Sequence, residues 1–208
     1  AEAPTRLARE TKLYEPLFGE PLFLRPGFDG FAAGVGLGAI TIENVDGGVV
    51  EDISATDFEV SGFHVPVFVR AGRRRGRKCG IPPSDKCVFR NVTVENVRGR
   101  AESVFASSVS GVDACRVQNV TLRNVTIACR GAGVAESEKA RTMKVPDRSE
   151  RYPECTMFRP SILPAYGLYA DRVDGLRLEN VNFTLQEGTV DVRPPVFIEP
   201  TVTDVERK

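Results

Sequence analysis

Long apolar runs are missing from this chain. Nothing approaches the roughly 18 consecutive apolar residues of a membrane-spanning helix, so no membrane partner is expected. Its start, Ala1-Glu2-Ala3-Pro4, lacks the charged and apolar regions of a signal peptide, which fits a mature chain or a fragment. Cysteines at C-x-x-C spacing are missing too, although there are five cysteines, which argues against zinc and thioredoxin-like chemistry. His64 is the only histidine; no metal and no cofactor is expected. No charge dominates, because 28 basic residues balance 28 acidic ones, so any polyanionic partner must be recognised locally. Helical periodicity is sustained nowhere, the best helix candidate being the short, weakly amphipathic stretch from Val134 to Met143.

What is present is a repeat. With 208 residues, 41% hydrophobic and 27% charged, the chain has the composition of an ordinary globular protein with a substantial core. In Cys115 to Ile127, two Asn-Val-Thr triplets open short runs of alternating apolar and polar residues. Side chains on a strand alternate between faces, so Val120 and Leu122 face inward while Thr121 and Arg123 face outward. Asn119 and Asn124 read as bends, since Asn tolerates left-handed backbone.

The same template ends at Asn44, Asp57, Asn96 and Asn180. Only 13 residues separate Asn44 from Asp57, too few for one coil, so the copies are not all the same turn. A second set of strands alternates with the first, near 65–70, 103–108, 166–170 and 195–199, and 39–42 joins this set. The fold class expected is all-β, a partial right-handed parallel β-helix, a three-sided solenoid with two inserted loops, at 71–85 and 130–163. Residues 39–208 form its coils. Residues 1–38 form an irregular segment or cap, with Phe18, Leu22, Phe23 and Phe28 as capping candidates. Gly34 to Gly38 reads as close-packed backbone rather than a phosphate loop.

Several stretches, taken in order, resemble bacterial members of the polygalacturonase family, glycoside hydrolase family 28. They are Asp46-Gly47-Gly48-Val49-Val50-Glu51-Asp52-Ile53, then Val65-Pro66-Val67-Phe68-Val69-Arg70, then Tyr152-Pro153-Glu154, Met157-Phe158 and Leu163-Pro164-Ala165-Tyr166-Gly167-Leu168-Tyr169. The resemblance covers roughly 39–200. It implies hydrolysis of α-linked galacturonide, or a related pectin glycan, with inversion, in an extracellular or periplasmic setting. An inverting glycosidase needs an acid and a base carboxylate about 6.5 to 9.5 Å apart. The family's tandem Asp-Asp and Gly-His-Gly turn are absent, and Ala39-Ile40-Thr41-Ile42 stands where an Arg-x-Lys pair would fall. The chain therefore reads as the portion without the catalytic carboxylates, and no catalytic residue is assigned.

An acidic polysaccharide or oligosaccharide is the expected partner. Arg70 is the first candidate contact, because a guanidinium binds a carboxylate bidentately. Arg73 leads the basic run Arg73-Arg74-Arg75 and Arg77-Lys78, which would steer a polyanion or be plainly solvated. A nucleic-acid role for this run is weakened by the lack of interleaved aromatics. Tyr166 and Tyr169 point to opposite faces, one to stack on a sugar or both to pack. Asp46, Glu51, Asp52, Asp57 and Glu59 form a dense acidic stretch, with Asp57 read as outward and Asp52 as a bend. Asn91, Asn119, Asn124 and Asn182 fit the glycosylation pattern, which the repeat itself generates. Two disulfides suggest themselves, Cys79 with Cys87 and Cys115 with Cys129. A non-catalytic β-helix that binds acidic glycan, or serves as a structural solenoid, is the competing reading.

Overall fold

The computed structural model describes residues 36–74, 86–151 and 153–208. Of the expected N-terminal segment or cap, residues 1–35, with Phe18, Leu22, Phe23 and Phe28, lie outside the described residues, as do Cys79, Arg75, Arg77 and Lys78, while 36–38 belong to a strand. Ten strands and one helix follow in order: β1 (Gly36–Asn44), β2 (Gly48–Val60), β3 (Phe63–Ala71), β4 (Cys87–Arg100), β5 (Ser107–Ser110), β6 (Val117–Cys129), α1 (Val134–Thr142), β7 (Leu168–Asp171), β8 (Val173–Leu185), β9 (Val196–Ile198) and β10 (Thr203–Arg207). The protein is all-β. Successive strands go alternately to two parallel five-stranded sheets, ordered β1-β3-β5-β7-β9 and β10-β8-β6-β4-β2. The expected second set of strands corresponds to the first of these sheets, with 39–42 inside β1, except that 103–106 is not strand and the element expected at 103–108 is Ser107–Ser110.

Registers give the length of each return. Gly36 pairs with Phe63, 27 positions on. Asn91 meets Asn119 at a separation of 28, and Arg177 meets Glu206 at 29. Glu51 meets Arg90 at 39 because the loop before β4 intervenes. Asn124 meets Asn180 at 56, so the loop before β7 holds about as much chain as a whole return. Most of the first expected insertion, 75–85, lies outside the described residues; the second is present, and α1, starting at Val134 as the sequence suggests, lies in it.

Each long strand bends twice, because two residues in it take left-handed backbone. In β2 these are Asp52 (φ 58) and Asp57 (φ 64), in β4 Asn91 (58) and Asn96 (54), and in β6 Asn119 (52) and Asn124 (53). Asp57 is therefore a bend, not an outward strand position: an outward side chain in extended backbone would have negative φ. β8 carries Gly175 and Asn180 in the same registers. Stacked bends bond along the stack. Asn91 Nδ2 donates to Asp52 Oδ1 at 2.7 Å and Asn119 Nδ2 to Asn91 Oδ1 at 3.1 Å. The second ladder runs Asn180 to Asn124 (3.0 Å), Asn124 to Asn96 (3.0 Å) and Asn96 to Asp57 (2.9 Å). Asn44 stands apart: it is buried at the end of β1 and donates to Val88 O.

Between the bends the inward residues are mostly β-branched and buried. Val92, Val94 and Val97 of β4, Val120, Leu122, Val125 and Ile127 of β6, and Val67, Val69 and Val109 of the other sheet share one core cluster. Branched side chains fit a pleated surface stacked above and below by its own kind. Gly99 (φ 146) is fixed by a close approach, since a Cβ there would sit 1.9 Å from Val60 O. The close-packed reading of the first glycines holds at Gly36, where a Cβ would meet the Phe63 ring at 2.6 Å. On the outer face, charges alternate in register: Arg90 bonds Glu51, while Arg123 lies between Glu95 and Glu179.

The expected disulfides are corrected. Cys87 pairs with Cys115, which is then not available to Cys129; Cys129 and Cys155 are buried free thiols. Burial pushes both free thiols up to about 12, so neither is a reactive thiolate at neutral pH.

Candidate functional site

Alternate residues of the first sheet point away from the core and gather on one outer face. From β3 come Phe68 and Arg70, from β5 Ser108 and Ser110, and from β7 Tyr169 and Asp171, matched by register. This is where sequence reasoning placed two of its four contacts.

The second insertion covers this face. Phe158, 4% exposed, meets Tyr169 edge-on at 6.3 Å, and Tyr169 stacks on Phe197 at 6.4 Å. Arg73 N donates to Ser149 O and Cys155 Sγ to Leu37 O, tying the insertion to the strands beneath. Arg70 is consequently only 3% exposed. Its Nη1 donates to Ser110 Oγ at 3.2 Å and Gly111 O at 3.3 Å, and the guanidinium lies 5.3 Å from the Phe158 ring centroid. Arg70 Nε and Ser108 Oγ are buried with no hydrogen-bond partner. Burial lowers the Arg70 pKa to about 10, opposed by the charges of Asp147 and Asp171, so the group stays protonated at neutral pH.

A polar network continues along the face. Asp171 accepts from Thr201 Oγ1 at 2.7 Å and from Arg172, and Arg172 Nε donates to Asp113 at 2.7 Å. The Tyr169 hydroxyl donates to Glu199 Oε1 at 3.2 Å, and burial pushes its pKa well up. Tyr166 precedes β7, packs against the core and donates its hydroxyl to Phe183 O at 3.2 Å. The two tyrosines thus take opposite faces. Of the four residues singled out from sequence, Arg73 is exposed and Tyr166 half-buried, while Arg70 and Tyr169 are buried. The structure unites Arg70 with Tyr169 and leaves Tyr166 on the other side of the strand.

Sequence reasoning missed a groove on the second sheet. In register with the Asp52-Asn91-Asn119 ladder, β8 offers Gly175, which has no side chain to fill the crease. A groove of about 510 Å³ opens there between Asn119, Thr121, Asp174, Arg177, Asp204 and Glu206. Hydrogen bonding from Arg116 holds the Asp174 carboxyl below its ordinary pKa. The one detectable signal was a glycine where the repeat has Asn or Asp.

Among the described residues, no cluster of three or more His, Cys, Asp or Glu is arranged to hold a metal ion, and no helix is long and apolar enough to cross a membrane. No known family model, curated protein or solved structure matches the chain.

Proposed function

We propose that the chain forms C-terminal coils of a right-handed, three-sided parallel β-helix like that of the pectin-type glycoside hydrolases. In this reading it supplies solenoid core and an acidic-glycan-binding wall, not the catalytic carboxylates. The observation that carries the proposal is the uniform return of 27 to 29 residues wherever no loop intervenes, with parallel strands in register. Such a repeat suits a stack in which each coil contacts only its neighbours. The Cys87–Cys115 disulfide agrees with an extracellular or periplasmic setting.

Glycan contact falls first to Arg73, the exposed cation beside the covered face. Arg70 and Tyr169, being buried, hold the sheet and insertion together in this state. The closed face also favours the competing role, a structural or purely binding β-helix. Assay of the purified chain on polygalacturonate is expected to release no reducing ends. Titration with an oligogalacturonide is expected to show binding that weakens about tenfold in Arg73→Glu at low salt. Turnover lost on mutating any carboxylate of this chain would overturn the non-catalytic part. Absence of binding, or binding unchanged in Arg73→Glu, would overturn the glycan contact.

A further inference from the structure

The first bend ladder of the second sheet breaks once, and the break has a definite chemistry. Its positions run Asp52, Asn91, Asn119, Gly175 and Asp204, the last standing opposite Gly175 because Thr203 pairs with Asp174 and Val205 with Leu176. Asp204 shares the left-handed backbone of the series, at φ 51. The second ladder keeps Asn180 in β8 and is unbroken from there to Asp57. Only the first therefore leaves a gap the size of a side chain, and the gap opens into the groove between β6, β8 and β10.

The direction of the ladder decides what the gap takes. At every intact step the amide of the later strand donates to an oxygen of the earlier one. Asn119 gives its amide to Asn91, so the atom it turns to the gap is Oδ1, 3.0 Å from where a Cβ on Gly175 would stand. On the far side Asp204 brings a carboxylate, which only accepts. Among the described residues, no hydrogen bond reaches that Oδ1 or the Asp204 carboxylate. The gap is thus bounded by two acceptors. A carboxamide placed there would satisfy Asn119 and set its own oxygen against Asp204, whereas a group with donors on two sides satisfies both.

Charge and span narrow the choice. The other carboxylates of the groove are paired, Asp174 with Arg116 at 2.7 Å and Glu206 with Arg177 at 3.0 Å. Asp204 has no ion-pair partner among the described residues, so one negative charge there is uncompensated. The β6 and β10 rungs are two strand spacings apart, about 9.6 Å. An ammonium nitrogen reaches only about 2.8 Å to either side. A guanidinium carries N–H groups on opposite edges of one plane and spans more.

We propose that the gap at Gly175 binds the guanidinium group of a small molecule, which takes the place of the missing rung and donates to Asn119 Oδ1 on one side and to the Asp204 carboxylate on the other. The groove, about 510 Å³, has the volume of a small-molecule site, roughly 300 to 1,000 Å³. This site belongs to the second sheet, so failure of the glycan reading, which concerns Arg73 beside the first, would leave it untouched.

The probe is butylguanidinium, titrated at low salt into the isotope-labelled full chain. NMR follows the backbone amides of 118–121, 174–177 and 203–206 and the side-chain amide of Asn119. Saturable shifts centred on these signals are expected. Butylurea, a neutral planar analogue, is expected to bind about tenfold more weakly, and butylammonium several-fold more weakly. Asp204→Asn keeps a residue that tolerates left-handed backbone but removes the charge, and is expected to weaken butylguanidinium binding about tenfold. Asp57→Asn removes the same charge from the other ladder and is expected to leave binding unchanged. Absence of saturable shifts would overturn the proposal, as would butylurea or butylammonium binding as tightly as butylguanidinium, or equal weakening by Asp57→Asn and Asp204→Asn.

Discussion

Arg193 shows how much one residue holds in place. Its side chain and that of Asp191 are both fully buried and pair at 2.6 Å. Nη1 donates to Ile162 O and Leu163 O and Nη2 to Val104 O, so one guanidinium joins the second insertion to the stretch before β5. Burial by itself would raise the Asp191 carboxyl, but hydrogen bonds from Arg193 and from the Ala132 and Arg193 amides bring it below its ordinary value. Removing the cation leaves a buried carboxylate with only its two backbone amide donors and takes a donor from three carbonyls. Arg193→Met, which keeps much of the volume, is expected to cost about 3 to 5 kcal/mol in urea denaturation. It should also speed proteolysis within 144–165. A loss under about 1 kcal/mol would mean that the insertion is not anchored there.

At the scale of elements, the bend ladders set the path of the second sheet. Asn124 sits mid-ladder, donating to Asn96 and accepting from Asn180, with φ 53. Asn124→Ala loses both bonds and the tolerance for that backbone, an expected cost of about 2 kcal/mol by denaturant midpoint. Asn124→Gly, which keeps the backbone freedom, is expected to cost about half as much. Gly175 gives the converse. Its φ of 81 strains any side chain there, and a built Cβ lies 3.0 Å from Asn119 Oδ1, so Gly175→Asn extends the ladder only at the cost of backbone strain and a shift of Asn119. The expected net effect by denaturant midpoint is a loss of about 1 kcal/mol, the one ladder bond not offsetting the strain. These elements were legible in sequence because alternation and Asn mark strand and bend directly. The disulfide was not, because its partners meet only after one full return. The signal existed, since Cys87 and Cys115 are 28 apart, the same separation as Asn91 and Asn119. The burial of Arg70 and Tyr169 was hidden for a different reason. No local pattern in β3 or β7 announces that Phe158, from an insertion, will lie on top of them.

For the whole molecule, acid is the condition that separates the contributions to stability. His64 is fully buried, and burial lowers its pKa from 6.5 to about 4, with Glu102 pulling the other way. The folded state therefore binds fewer protons than the unfolded state between these values. The histidine's contribution is intact above pH 6.5 and is lost as the pH falls toward 4, a total of about 3 kcal/mol. Asp46, Asp174 and Asp191 behave separately. Their pKa values are depressed below 3.8, so what they contribute is present above that value and lost only beneath it. Two acid phases follow, divided near pH 4. His64→Gln removes the first phase and leaves the second, whatever its effect on stability at neutral pH. The test is the denaturant midpoint measured from pH 7.5 to 3 for both proteins. A slope between pH 6.5 and 4 that is equal in the variant would show that the phase belongs to other groups.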